Sequence, residues 1–142
     1  MKCKYFASFV VFISLLALNY LIHCVLLKGI YLQTASVWRP EADMKHMMWH
    51  MWLGYLIFSP IFVCIYSKGY EEGKDRIGQG FRYGFWMGVL LSVMQSLILY
   101  TILPIPCKLA VYWIVSGIAK YTALGTVLGF VYKKEWCMIF YF

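Results

Sequence analysis

Long apolar runs separated by short polar segments dominate the chain. Four of them cover residues 5–27, 47–66, 83–103 and 109–132. Each meets the requirement of about 20 apolar residues for an α-helix that crosses a hydrocarbon core of roughly 30 Å. The alternating strands of about ten residues that build membrane barrels are absent. The pattern predicts an all-α integral membrane protein, whose four transmembrane helices form a compact antiparallel bundle and a single domain, 1–142.

Polar and turn-forming residues mark the connections between these runs. We expect an outer loop at 28–46, an inner loop at 67–82, a tight turn at the Pro-Ile-Pro of 104–106, and an interfacial apolar tail at 136–142. Within the outer loop, Pro40 precedes Glu41 and Asp43, which is a typical helix start. The second helix is therefore expected to begin near Pro40.

The positions of the basic residues predict the orientation. On the side of the N-terminus lie Lys2, Lys4, Lys68, Lys74, Arg76, Arg82, Lys133 and Lys134, and on the other side lie Lys28, Arg39, Lys45 and Lys108. Because Lys and Arg accumulate on the cytoplasmic side, both termini are predicted in the cytoplasm. The first run is too long for a signal peptide and lacks a small-residue cleavage site, so it is expected to remain as a span.

Composition excludes several classes of protein. The chain is 63% apolar and only 13% charged, whereas an ordinary soluble domain is about 45–50% apolar and about 25% charged. A small soluble domain could not bury so much apolar surface. The net charge of +7 comes from residues at the ends of the apolar runs and not from one basic face, which argues against nucleic-acid binding. No triad, Cys-His pair or pair of in-span carboxylates supports catalysis, so an enzyme is not expected.

The five cysteines show no metal-ligand spacing. Only Cys24 and Cys107 are expected near the outer face, so a disulfide between these two remains open. Free, buried thiols are the default expectation, because cysteine behaves as a small hydrophobe.

Small residues recur along the third and fourth spans. In the third they occupy every fourth position, and in the fourth they are less regular; together they are Gly80, Gly84, Gly88, Ser92, Ser96, Gly117, Gly125 and Gly129. In lipid such faces let helix backbones approach closely. The pattern predicts a helix-packing interface, either within this bundle or with another chain.

Three polar side chains are expected near mid-depth: Lys120, Gln95 and Asn19. A lysine at the bilayer centre costs roughly 2.5–3.5 kcal/mol on insertion scales and normally finds a partner. No acid lies inside a span. Lys120 is therefore expected to bond to Gln95 or Asn19, to stretch towards an interface, to pair with an acid on another subunit, or to serve an ion, proton or substrate path.

A histidine- and methionine-rich segment precedes the second span. His46 and His50 share a helix face at spacing i, i+4, with Met47 beside them, and His23 is expected at a similar depth. Imidazole and thioether ligands suit copper, and imidazole also ligates haem. The alternative is that methionine fills gaps and that the histidines stay hydrated at the interface.

Three stretches carry a resemblance. They are Leu26-Leu27-Lys28-Gly29-Ile30-Tyr31, Trp38-Arg39-Pro40-Glu41 and Gly80-Phe81-Arg82-Tyr83-Gly84. Together they resemble small four-span bacterial inner-membrane proteins of unknown function, over nearly the whole chain. The resemblance implies a bacterial inner-membrane location and carries over no activity or catalytic residue.

The leading hypothesis is a non-catalytic accessory or interaction subunit. It would lie in the lipid bilayer and associate with itself or with a larger membrane complex. The alternatives are copper or haem binding at His46, His50, His23 and Met47, and a small ion or solute transporter that uses Lys120 and Gln95. Four spans are few for a transporter, and no inverted repeat is evident.

Overall fold

The structure is a computed structural model that describes residues 2–132, and their side chains from residue 4 onward. Over these residues it is all-α, with no strand. Four helices are long and apolar enough to cross a membrane, as the apolar runs predict. They suggest a multi-pass membrane protein. The predicted interfacial tail at 136–142 lies outside the described residues.

The helices extend beyond the apolar runs. In chain order the elements are α1 (Lys2–Asn19), continued by a π-helix (Tyr20–Leu26), α2 (Lys28–Gln33), a 3-10 turn (Ala35–Val37), α3 (Glu41–Gly69), α4 (Arg76–Ile102) and α5 (Cys107–Val131). The predicted helix start near Pro40 is confirmed, since Pro40 occupies the N-cap position of α3. The expected outer loop is helical over much of its length. The inner connection shrinks to residues 70–75.

The most closely packed helices are α4 and α5, which run antiparallel. The buried residues of α4 are the predicted small ones, Gly80, Gly84, Gly88, Ser92 and Ser96. A Cβ added to Gly84 would lie 2.9 Å from Thr122 Cα, and one added to Gly88 would lie 2.9 Å from Ile118 Cα. On α5, the facing small residues are Gly117, Gly125 and Gly129, which are also buried. The stripe is therefore a packing surface within the chain.

Helix α1 lies between α3 and α5 and packs against both. Its buried residues Ala7, Val11 and Leu15 are four positions apart and so share one face. They meet Leu124 and Leu128 of α5 in the main apolar cluster. This cluster holds α1 to the α4–α5 pair and forms the core of the bundle.

Helix α3 divides near Pro60 into two halves with different surroundings. Ser59 and Phe62 are buried and mark the start of the packed half. Every residue from 41 to 54, by contrast, is exposed. A proline inside a helix removes a backbone hydrogen bond and commonly bends the helix. The predicted compact packing therefore holds for the second half of α3 and does not extend to residues 41–54.

Aromatic side chains fill the space between the packed half of α3 and the α4–α5 pair. The ring of Phe62 lies 4.7 Å from that of Tyr83 on α4 and 6.5 Å from that of Tyr121 on α5, measured between centroids. The Tyr83 hydroxyl also donates a hydrogen bond of 2.7 Å to the Phe62 carbonyl oxygen. Rings, and not close backbone contacts, hold α3 to α4. We call these three residues the aromatic layer.

Side-chain hydrogen bonds fix the turn between α3 and α4. The Asp75 carboxylate accepts from the backbone N–H groups of Ile77, at 3.2 Å, and Gly78, at 2.7 Å, and so caps α4. The Gln79 side-chain amide accepts from the N–H of Glu71 and donates to its carbonyl, each at 2.9 Å. The charged, glycine-rich connector is therefore an ordered turn.

Candidate functional site

The two polar side chains Lys120 and Asn19 meet between α5 and α1. Lys120 Nζ donates to Asn19 Oδ1 at 3.2 Å. Asn19 is buried, and its Nδ2 donates to the Leu15 carbonyl at 2.8 Å. Of the partners considered from the sequence, the structure brings Lys120 to Asn19. At this contact Lys120 therefore meets a neutral side chain.

The π-helix begins immediately after Asn19. Its hydrogen bonds reach one residue further than those of an α-helix, and such turns are frequent at functional sites. The Leu27 N–H, for instance, bonds to the Ile22 carbonyl five residues earlier, at 2.9 Å. The π-helix carries His23, whose Nδ1 lies 2.7 Å from the Tyr31 hydroxyl oxygen. The wider turns thus place an imidazole towards the segment that follows α1.

Tyr31 of α2 links His23 to α5. Its hydroxyl oxygen accepts a hydrogen bond of 2.7 Å from Trp113 Nε1, which leaves the hydroxyl proton free to bond to His23 Nδ1. Burial raises the pKa of Tyr31, although the Trp113 bond acts in the opposite direction. A neutral phenol is thus held between an indole and an imidazole.

Trp38 completes this group of rings. Its Nε1 donates to Thr34 Oγ1 at 3.0 Å, and its ring meets those of Tyr31 and Trp113 at 5.4 and 6.0 Å. We call His23, Tyr31, Trp38 and Trp113 the anchor cluster. It attaches the connection between α1 and α3 to α5, and its contacts therefore have a structural role.

The sequence contains a signal for this cluster that apolar runs and small-residue spacing do not reveal. Trp113 lies seven residues before Lys120, which is two helical turns on the same face of α5. His23 lies four residues after Asn19, in the π-helix that continues α1. The two pairs are joined by hydrogen bonds, directly from Lys120 to Asn19 and through the Tyr31 hydroxyl between Trp113 and His23.

His46 and His50 lie apart from His23. Both are on the exposed first half of α3. His50 stacks on Trp49 at 3.6 Å between ring centroids, and its Nδ1 lies 3.2 Å from the Met47 carbonyl oxygen. The Met47 sulfur is 2.9 Å from Arg39 Nη1.

The described side chains include no group of three or more His, Cys, Asp or Glu that could hold a metal ion. The pair His46 and His50 remains a prediction of a copper or haem site, and His23 is engaged by Tyr31. Transport along Lys120 and Gln95 also remains a prediction.

Three cysteines lie in the part of the chain whose side chains are described. Cys24, Cys64 and Cys107 are free thiols, so Cys24 and Cys107 form no disulfide. All three are exposed, and the expectation that such thiols are buried was wrong for them. In a membrane-spanning helix, an exposed small apolar side chain can face lipid.

Gln95 is the third polar side chain expected at mid-depth, and it does not join Lys120 and Asn19. It is exposed on α4, away from the contact between α1 and α5. Lys120 and Asn19 therefore form a hydrogen-bonded pair, while the Gln95 amide lies apart from them.

Comparison with known proteins gives no family for the chain. No protein-family model, curated protein or solved structure matches it.

Proposed function

We propose that this chain is a small non-catalytic accessory subunit that joins a larger complex in the bacterial inner membrane. The observation that carries the proposal is the first half of α3, residues 41–54, which is exposed on every side. The other long helices contact a neighbour along much of their length, whereas this half-helix contacts little of the described chain. We call residues 41–54 the free half of α3.

The residue types of the free half suit a protein partner. Its large exposed side chains are Met44, Met47, Met48, Met51, Trp49, Trp52 and Leu53. Tryptophan and methionine are enriched at protein interfaces, since tryptophan buries a large area and methionine adapts its shape. A partner helix packed here would cover groups that otherwise face lipid.

Two features that suggest a partner from the sequence alone do not carry this proposal. The small-residue stripe is occupied by α5. Lys120 has Asn19 as its partner. The free half of α3 takes their place as the argument for association.

The orientation is part of the same proposal. The turn between α3 and α4 and the N-terminus lie on the side with more Lys and Arg, which favours the cytoplasm for both termini. The free half then lies towards the periplasm, where it would meet the outer half of a partner.

Site-specific photo-crosslinking in the native membrane tests this function. A benzophenone amino acid replaces Trp52 in the free half, and a matched variant carries it in place of Phe130 on α5, which is 71% exposed. We expect the probe at position 52 to form an adduct with one distinct polypeptide, and the probe at 130 to form none with it.

A second variant checks that the contact holds the complex. Trp49→Ala together with Trp52→Ala should remove that polypeptide from the purified complex while the chain itself stays inserted and folded. Adducts with lipid alone at position 52, or equal adducts from both probes, would contradict the proposal.

A further inference from the structure

Gln95 differs from every other long polar side chain in the middle of the spans. Lys120 and Asn19 are hydrogen-bonded to each other. The Gln95 amide is exposed and has no hydrogen-bond partner among the residues that the structure describes. Serine and threonine in the spans commonly bond to their own helix backbone, as Thr101 does to the Leu97 carbonyl. Gln95 thus has hydrogen-bonding capacity that residues 4–132 leave unused.

The depth of Gln95 makes this unused capacity costly. At 1.5 Å per residue, it lies about 9 Å from the midpoint of α4, inside a hydrocarbon core of roughly 30 Å. Lipid tails offer no hydrogen bonds, and polar side chains in membrane helices normally face protein or water. The position of Gln95 therefore calls for a partner outside the described residues.

The face around Gln95 is apolar and uncharged. Ile98 and Ile102, at i+3 and i+7, are 51% and 69% exposed. From residue 83 to residue 102 the helix contains no Asp, Glu, Lys or Arg. Charge cannot select a partner here, and on the face formed by Gln95, Ile98 and Ile102 the amide is the group that can form hydrogen bonds with one.

An amide is self-complementary, because it carries both donors and an acceptor. A second copy of this chain, inserted in the same orientation, presents its own Gln95 at the same depth. Around a two-fold axis along the membrane normal, each Nε2 can donate to the other copy's Oε1, as symmetric interfaces require. Interhelical hydrogen bonds of this kind promote association in lipid.

We propose that two copies of the chain dimerise through α4, with the two Gln95 side chains hydrogen-bonded across a two-fold axis. This surface is separate from the free half of α3, so the dimer does not depend on the accessory function. Loss of one association would leave the other measurable.

Fluorescence energy transfer in liposomes tests the dimer. The protein keeps Cys107 as its only cysteine, and copies labelled with donor and acceptor dyes are mixed at increasing dilution in lipid. We expect transfer above the level of random proximity. Gln95→Leu should weaken association about tenfold, because it removes the amide and leaves the contacts within the chain intact. Met94→Leu, at a neighbouring exposed position that keeps the amide, should leave association unchanged.

Cysteine crosslinking tests which face is used. In a cysteine-free background, Ile98→Cys lies on the Gln95 side of α4 and Leu97→Cys lies on the other, and the two native side chains are 51% and 52% exposed. We expect disulfide-linked dimers from Ile98→Cys and not from Leu97→Cys. Equal crosslinking at both positions, no transfer above random proximity, or transfer unaffected by Gln95→Leu would each overturn the proposal.

Discussion

The α4–α5 pair and the free half of α3 both belong to helices long enough to cross a membrane, but they are packed in opposite ways. Taken as whole helices, α3, α4 and α5 each contain a long apolar stretch of similar mean hydropathy, although the free half of α3 itself carries Glu41, Asp43 and Lys45. In α4 and α5, however, the facing positions carry glycine and serine, while the free half carries methionine and tryptophan. Lipid tails are as apolar as leucine, so helices in a membrane gain little from the hydrophobic effect when they meet. Hydropathy places the helices, and small residues decide which of them pack closely.

The largest effect on stability is expected from one added methyl group in the α4–α5 contact, compared with the same change in the free half of α3. Gly84→Ala puts a Cβ 2.9 Å from Thr122 Cα, so the helices must separate. We expect it to lower the free energy of unfolding by about 1–3 kcal/mol, measured in lipid bicelles with increasing detergent denaturant.

Gly54→Ala is the matched change in the free half, where a Cβ meets nothing within 4 Å. It should leave the free energy of unfolding unchanged or raise it by up to about 1 kcal/mol, since alanine favours the helix. Equal destabilisation by the two variants would show that the free half is as closely packed as the small-residue stripe between α4 and α5.

A smaller effect is expected in the aromatic layer, which joins the packed half of α3 to α4. Tyr83→Phe keeps the ring and removes the hydrogen bond to the Phe62 carbonyl. We expect a loss of about 0.6–1.7 kcal/mol in the same unfolding measurement. Tyr100→Phe, on the same helix and 44% exposed, is the control and should have no effect. If both variants behave alike, the Tyr83 bond does not help to hold α3.

The smallest effect concerns the anchor cluster, which ties the segment before α3 to α5. Because burial raises the pKa of Tyr31 above its usual value of 10.0, the folded protein holds the phenol proton more tightly than the unfolded chain. This contribution to stability is complete below pH 10 and is lost as the pH rises through the higher pKa of the folded state. Above pH 10, the stability of Tyr31→Phe should therefore fall less steeply than that of the wild type. Equal slopes in alkaline unfolding curves would contradict this.

Much of the fold follows from the sequence, since apolar runs and the Pro40 helix start are local signals. The glycine stripe also identifies the face that α4 buries, because its spacing matches the helical repeat. The division of α3 is not a local signal. Pro60 lies inside an apolar run, and nothing in that run distinguishes residues that face lipid from residues that face protein.

The polar residues show the same limit. Asn19, Gln95 and Lys120 share one sequence signal, a polar side chain at mid-depth. Whether two of them meet depends on how each helix is rotated about its axis, and that rotation is set by packing elsewhere. For α1 and α5 it brings Asn19 to Lys120. In α4 the small-residue stripe is the face that packs against α5, and Gln95 lies on a different, exposed face.

The π-helix that follows α1 shifts the direction in which successive side chains point. A regular α-helix would repeat the spacing of Ala7, Val11 and Leu15 through Asn19 and beyond, with one set of neighbours throughout. The longer hydrogen-bonded rings of Tyr20–Leu26 take up an extra residue, so the residues after Asn19 point in a new direction. Helix α1 can therefore pack into the apolar core, while the π-helix directs His23 to the anchor cluster.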